Sequence, residues 1–366
     1  MNKRIIKFGL AALSGVLLLS LTACESVQFY AQAVKGHSQM MLKRQDISDV
    51  LKSPDTNDEV RRKLQLIQKA RLFAINELKL PNNGSYTQYA DIERPYAVWN
   101  VVATKAYDTH PIQHCFPVAG CVSYRGYFSK DAAQAHADKL KAQGYDAIVS
   151  GAAAYSTLGW FSDPVLNTML RRSDLALAGL VFHELAHQRV YQAGDTAFNE
   201  SFAMAVELAG VDAWVEAQDK TQQQQQSVSQ YRQSKKINAD VVALILKHRK
   251  QIAAAYKATP ADDTKRLAKV KQKGFDELRA AYKTLRAQGG GSPGYDRWFA
   301  GDLNNASLVL FGDYHGWLGA FETLLKQANG DWPSFYDKVE ALTKLDKAER
   351  RKQLQKLETE GLKPDH

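Results

Sequence analysis

Beyond its first two dozen residues the chain has little cysteine and no apolar run long enough to cross a membrane. Three cysteines occur in 366 residues, and past Cys24 only Cys115 and Cys121 remain. Two thiols at that spacing lack the partners a metal site needs. In an oxidising compartment they are expected to pair as a disulfide that pins a loop. No internal repeat is present, which removes the repeat architectures. No glycine-rich phosphate loop follows a strand, and no Ser-His-Asp set has a recognisable nucleophile elbow. His110 and His114 are four apart, but Pro111 between them forbids a shared helical face, so they read as loop residues near the disulfide and not as a second metal site. Lys and Arg total 48 against 39 Asp and Glu, a formal net charge of +9. Along the C-terminal helices these cations are mixed with acids, with no basic stripe interleaved with aromatics, so no nucleic-acid partner is expected. Affinity for anionic lipid headgroups or acidic envelope polymers accounts for the charge as well.

What is present begins at the N-terminus. Lys3, Arg4 and Lys7 precede the apolar run Phe8–Leu21, which suits a signal-peptide core better than a spanning helix. Leu21-Thr22-Ala23-Cys24 resembles the bacterial lipobox, which implies cleavage before Cys24, acylation of Cys24 and a membrane anchor without a span. The alternative is an ordinary secretory signal with an incidental cysteine. Glu25, in place of aspartate, leans the resemblance towards a periplasm-facing lipoprotein of the outer membrane. Removing residues 1–23 takes away three cations and no acid, which lowers the charge from +9 to +6.

Apolar residues at helical spacing (Val60, Leu64, Ile67, Leu72, Ile75) predict helix over 29–80, stopped by Pro81-Asn82-Asn83-Gly84. Val- and aromatic-rich segments predict strands over 96–106 and 122–128. A helix from Ser129 to Gln143 and a strand over 145–154 follow. Helices are expected from Ser173 or Asp174 to Tyr191 and, after a Gly194-Asp195 turn, from Thr196 to Ala217. Residues 228–258 and 262–287 read as an antiparallel helical hairpin turned at Thr259-Pro260. Gly289 to Gly294 breaks the chain before further helices from Tyr295, and the charged last twenty residues are expected to fray. The fold class is α+β, mostly helical.

The residues that carry chemistry lie in Gly179-Leu180-Val181-Phe182-His183-Glu184-Leu185-Ala186-His187-Gln188. His183 and His187, four apart on a helix, present two imidazoles to one metal ion, and the adjacent Glu184 is placed to act on a metal-activated water as general base. A catalytic zinc needs a third protein ligand and an open position. Glu200, thirteen residues past His187 on a helix folded back by Gly194-Asp195, supplies the carboxylate. Without a metal, the same residues would be a helix with two satisfied histidines and a surface glutamate.

This arrangement resembles the gluzincin metallopeptidases, whose third ligand is a glutamate on the following helix. Together with Ala154 to Pro164, Gly194 to Ala203 and Asn304-Asn305-Ala306, it resembles a bacterial family of lipoproteins described as aminopeptidases. The resemblance implies one Zn2+ on His183, His187 and Glu200, Glu184 as general base, and a zincin-like fold with a small sheet beside the two site helices. A catalytic region over 24–220 and a helical hairpin and C-terminal helical region over 221–366 follow. Glu207, two turns past Glu200 on the same face, is a candidate to receive a ligand histidine's free N–H, and so is Asn199 unless it caps backbone. Tyr155 and Tyr314, with His315 as a rival, are candidate donors to the oxyanion of a tetrahedral intermediate. Segment 148–156 would bind substrate backbone by strand addition, and Trp160 and Phe161 would line the cleft. Glu207 and Asp163 are the acidic candidates to anchor a free amine. The expected activity is hydrolysis of peptide or protein substrates in the periplasm. The alternatives are a non-catalytic peptide-binding or chaperone-like protein with a structural zinc, and a zinc amidase acting on peptidoglycan.

Overall fold

The computed structural model describes residues 29–116, 120–155, 157, 162–218, 222–311 and 316–361. The first helical stretch is broken where uninterrupted helix is predicted. Helix α1 (29–42) leads to strand β1 (Gln45–Asp46), α2 (Ile47–Lys52) and α3 (Asp58–Asn76). Pro54 is the cause of the second break: a residue before proline is driven to extended backbone, and Ser53 has φ −64° and ψ 128°. Asn57 restarts the helix by accepting the Glu59 N–H at 2.9 Å.

Strands β2 (Gln88–Ala90), β3 (Val98–Lys105), β4 (His114–Phe116), β5 (Gly120–Val122) and β6 (Arg125–Tyr127) come next, then α4 (Lys130–Ala142), β7 (Tyr145–Ala152) and β8 (Val165–Leu166). The antiparallel sheet runs β6-β3-β7, with β7 on an edge. Side chains alternate across it. Trp99, Val101 and Ala103 pack with Ala133 and Ala137 of α4, while Val102 points to the other face. Ser129 caps α4 by accepting the Ala132 N–H, and Gly144, at φ +84°, ends it. The β4–β5 hairpin carries the Cys115–Cys121 disulfide, the two residues facing each other. A second small sheet, β1-β2-β8, lies in the main core.

The rest is helical: α5 (Asp174–Arg189), α6 (Thr196–Glu216), α7 (Gln222–Lys257), α8 (Thr264–Ala287), α9 (Pro293–Ala300), α10 (Asn305–Val309), α11 (Leu318–Gln327), α12 (Trp332–Thr343) and α13 (Lys347–Gly361). The fold is thus α+β and mostly helical. Helix α9 starts inside the predicted break because Pro293 sits at the first helical position, where its missing N–H costs nothing.

One core wraps the pair α5–α6. Phe182 and Leu185 of α5, Phe198 and Phe202 of α6, Leu64 and Ile67 of α3, Phe321 of α11 and Phe335 and Tyr336 of α12 are fully or almost fully buried. Each such side chain contributes about 1.5–3 kcal/mol on burial. This core draws on residues before and after 220. Two glycines let α5 and α6 lie close: a Cβ on Gly179 would meet Glu207 and Val211 at 3.0–3.2 Å, and one on Gly210 would meet Phe182 at 2.9 Å.

Helix α13, predicted to fray, is docked. Leu354 is buried, and Arg350, 3% exposed, forms an ion pair with buried Asp195 at 3.1 Å. Glu358 adds a tie to α11 by accepting the Ala320 N–H at 3.0 Å, and Leu357 packs against the same core. The α7–α8 hairpin buries Val241, Ile245 and Ile252 against Leu267, Phe275 and Leu278. Among the described residues, no helix is long and apolar enough to cross a membrane.

Candidate metal centre

Helix α5 ends at Val190, whose backbone is extended, and Gly194, at φ +75°, reverses the chain. Asp195 caps α6 at the Phe198 N–H, so α6 runs back along α5 with Glu200 in its second turn. The loop is braced by Asn199, whose side chain accepts the Gln192 N–H at 2.7 Å and donates to the Gln192 carbonyl at 2.8 Å. Asn199 therefore holds backbone and does not orient a histidine.

Three side chains converge. The Nε2 atoms of His183 and His187 are 3.2 Å apart. Glu200 Oε2 lies 3.4 Å from His183 Nε2, and Glu200 Oε1 lies 3.7 Å from His187 Nε2. Ligands about 2.0–2.1 Å from a tetrahedral ion stand roughly 3.3 Å from one another, so these separations fit three ligands of one ion. Among the described residues, this is the one group of three or more His, Cys, Asp or Glu side chains close enough to hold a metal ion.

The electrostatics agree with the spacing. Burial lowers the His183 pKa, but Glu200 and Glu207 outweigh it and raise it to about 10. His187, buried beside that charge, is lowered to about 4. The carboxylates thus favour a single positive charge on the histidine pair, at His183 and not at His187. An imidazole and carboxylate donor set beside such acidic groups suits a divalent cation.

Glu207 extends the site. Its Oε2 is 3.2 Å from His183 Nδ1. Its Oε1 is held by Lys235 Nζ and accepts the Tyr231 hydroxyl at 3.2 Å, both from α7. Against the cost of burial, His183 and Lys235 pull the Glu207 pKa down to about 2. With both oxygens engaged, Glu207 is not available as an anchor for a free amine. His187 Nδ1 is buried with no hydrogen-bond partner among the described residues, and His183 Nδ1, though close to Glu207 Oε2, is out of hydrogen-bonding alignment with it.

Glu184 is raised to about 7, mainly by burial, with further upward pressure from Glu200 and Asp163. A carboxylate that titrates near neutrality is matched to proton transfer. Asp163, 1% exposed, accepts the Thr157 N–H at 3.0 Å and the Thr157 hydroxyl at 2.8 Å. Its carboxylate is thereby committed within its own loop.

Tyr155 packs on the rings of Phe128 (centroids 5.3 Å) and His37 (5.9 Å). No hydrogen bond, ion pair or ring contact joins it to His183, Glu184, His187 or Glu200 among the described residues. Cys24, Trp160, Phe161, Tyr314 and His315 lie outside the described residues. His110, 82% exposed, pairs with Asp108, and His114 stands in β4 beside the disulfide.

Sequence reasoning missed four neighbours. Tyr86 is buried, adopts φ +61°, and donates its N–H to the Asp163 carbonyl at 2.7 Å. Its hydroxyl is pushed well up by burial and then by Glu184 and Asp163. Tyr191 is raised by burial and by Glu200, but it lies past the extended Val190, so helical spacing from His187 does not place it. Tyr231 and Lys235 carried no signal, because only the packing of α7 brings them to Glu207.

An α+β, mostly helical protein with a His-His-Glu group that could hold a metal ion, next to a glutamate raised towards neutrality, is the class that fold and site define. Residues 28–354 match the family described as "Putative aminopeptidase". The chain belongs to that family. No curated protein and no solved structure matches it.

Proposed function

We propose that the chain is a zinc-dependent peptidase, an aminopeptidase of the bacterial periplasm, anchored through an acylated Cys24 to the outer membrane. The observation that carries the reading is the convergence of His183, His187 and Glu200 beside a glutamate whose pKa is about 7. Family membership supports peptide hydrolysis, and the leader resembling a lipobox supports the location.

His183, His187 and Glu200 would hold the ion, which when bound lowers the pKa of a water and polarises the scissile carbonyl. Glu207, fixed by Lys235 and Tyr231, keeps His183 turned with Nε2 towards Glu200. Glu184 takes the proton of the attacking water on a carboxylate oxygen and returns it to the leaving amine nitrogen. Its pKa near neutrality makes both transfers accessible. A purely structural zinc has no use for such a base.

The test compares wild type with Glu184→Gln. Both are expected to carry close to one zinc per chain, while the variant loses about 100- to 10,000-fold in peptide turnover. Mass spectrometry of products from a diverse peptide pool is expected to show stepwise loss of N-terminal residues. Wild type without near-stoichiometric zinc, or equal turnover by the variant, sinks the reading. Internal cuts alone would keep the peptidase and remove "amino".

A further inference from the structure

The net charge of the chain is concentrated in one element. Residues 222–287, the α7–α8 hairpin, contain fifteen Lys and Arg against five Asp and Glu, a net +10 beside +9 for the whole chain. The mixing of signs read along the C-terminal sequence does not hold within this hairpin.

The cations are ordered as well as numerous. On α7, Arg232, Lys236, Lys247, Lys250 and Lys257 are all exposed. At 3.6 residues per turn they fall within a sector of roughly 80°. Exposed Ala239, Ala243 and Ala254 fill the same stripe. On α8, Lys265, Arg266 and Lys269 are exposed in the first two turns. Arg232 and Lys236 are neutralised locally by Asp212 and Asp240. Lys247, Lys250, Lys257, Lys265, Arg266 and Lys269 form no ion pair among the described residues. They cluster towards the turn between the helices, where Asp262 and Asp263 are the acids.

We propose that the turn end of the hairpin is a docking surface for an anionic phospholipid bilayer, engaged through those six cations. Flexible cations separated by alanines suit a plane of mobile phosphates, and their attraction to an anionic leaflet acts within a Debye length of the surface. A single-stranded nucleic acid would also need exposed rings for its bases. The hairpin's four aromatics, Tyr231, Tyr256, Phe275 and Tyr282, are all buried. The choice of a bilayer rests on the proposed anchor at Cys24. The surface would turn a tethered body into one that lies on the membrane.

The full chain is mixed with vesicles of phosphatidylcholine alone or of phosphatidylcholine with phosphatidylglycerol, and amine-reactive labelling is read lysine by lysine by mass spectrometry. Labelling of Lys247, Lys250, Lys257, Lys265 and Lys269 is expected to fall about fivefold on the anionic vesicles only and to recover in high salt. An acyl anchor acts on both vesicles, so the difference between them reports the hairpin. A K250E/K257E/K265E/K269E variant is expected to lose the protection of Lys247. Equal labelling on both vesicles, protection spread evenly over the chain, salt-insensitive protection, or stronger protection by DNA than by anionic vesicles overturns the proposal. Neither peptide nor metal enters the measurement, so its failure leaves the peptidase reading standing.

Discussion

Glu207 joins His183 to a helix outside the α5–α6 pair: one carboxylate oxygen lies 3.2 Å from His183 Nδ1, and the other is held by Lys235 and Tyr231 of α7. The setting of His183 thus depends on a helix that begins six residues after α6 ends. Glu207→Gln is expected to weaken zinc binding about 10- to 100-fold, the usual cost of losing the group that orients a ligand. Competition against a chromogenic chelator measures this without any substrate. Lys235→Met should act in the same direction, and the double variant should lose little more than Glu207→Gln, because both act through one carboxylate. Unchanged zinc affinity in Glu207→Gln would show that His183 is oriented without it.

Gly179 makes the same contact possible from the other side. A Cβ there would stand 3.0 Å from Glu207 Cγ and 3.1 Å from Val211 Cγ2. Alanine favours an exposed helix over glycine by about 1 kcal/mol, but overpacking a tight interface costs about 1–3 kcal/mol. Gly179→Ala is therefore expected to lower stability in urea unfolding and to weaken zinc binding together. A more stable variant with unaltered zinc affinity would mean that the two helices have room to spare.

The contrast between Glu200 and Lys235 shows what the sequence could and could not reveal. Spacing alone brought His183, Glu184, His187 and Glu200 forward, because a helical period and a glycine turn nearly determine their relative positions. Glu207 followed by the same arithmetic. Lys235 and Tyr231 did not, since their approach depends on how α7 crosses the pair, which no local pattern encodes. Asn199 had the right address, but its short amide reaches Gln192 first. Segments such as β6 and the break before α3 were displaced by tertiary pairing and by Pro54, and α13 owes its order to Arg350, Leu354, Leu357 and Glu358, a few inward residues in a sequence that otherwise reads as solvated.

Burial of Glu184 has a consequence for stability that metal-free protein exposes. Its folded pKa of about 7 exceeds the ordinary value of 4.5, so the folded state binds this proton more tightly than the unfolded state. Below 4.5 the group is protonated in both states and costs nothing. The penalty grows as pH rises from there to about 7, and it is complete above. Metal-free Glu184→Gln is expected to be more stable than metal-free wild type at pH 8 by up to roughly 3 kcal/mol, and to match it near pH 4. Thermal unfolding across that range checks it. A variant that is less stable at pH 8 would show that the carboxylate is better solvated than its burial implies.

Asp195 couples the C-terminal helix to the site, since it both caps α6 at the Phe198 N–H and receives Arg350 from α13. Arg350 is 4% and Asp195 7% exposed at the side chain. Removing one partner of so buried a pair leaves a charge without compensation, which costs about 3–5 kcal/mol. Arg350→Met is expected to unfold at markedly lower urea concentration. Adding Asp195→Asn should recover part of that loss, because asparagine still caps the helix while removing the stranded charge. Glu200 lies five residues past Asp195 on the same helix, so native-state hydrogen exchange in Arg350→Met should rise in the first turn of α6 as well as in α13. Faster exchange confined to α13 would mean that the cap holds α6 without help from Arg350.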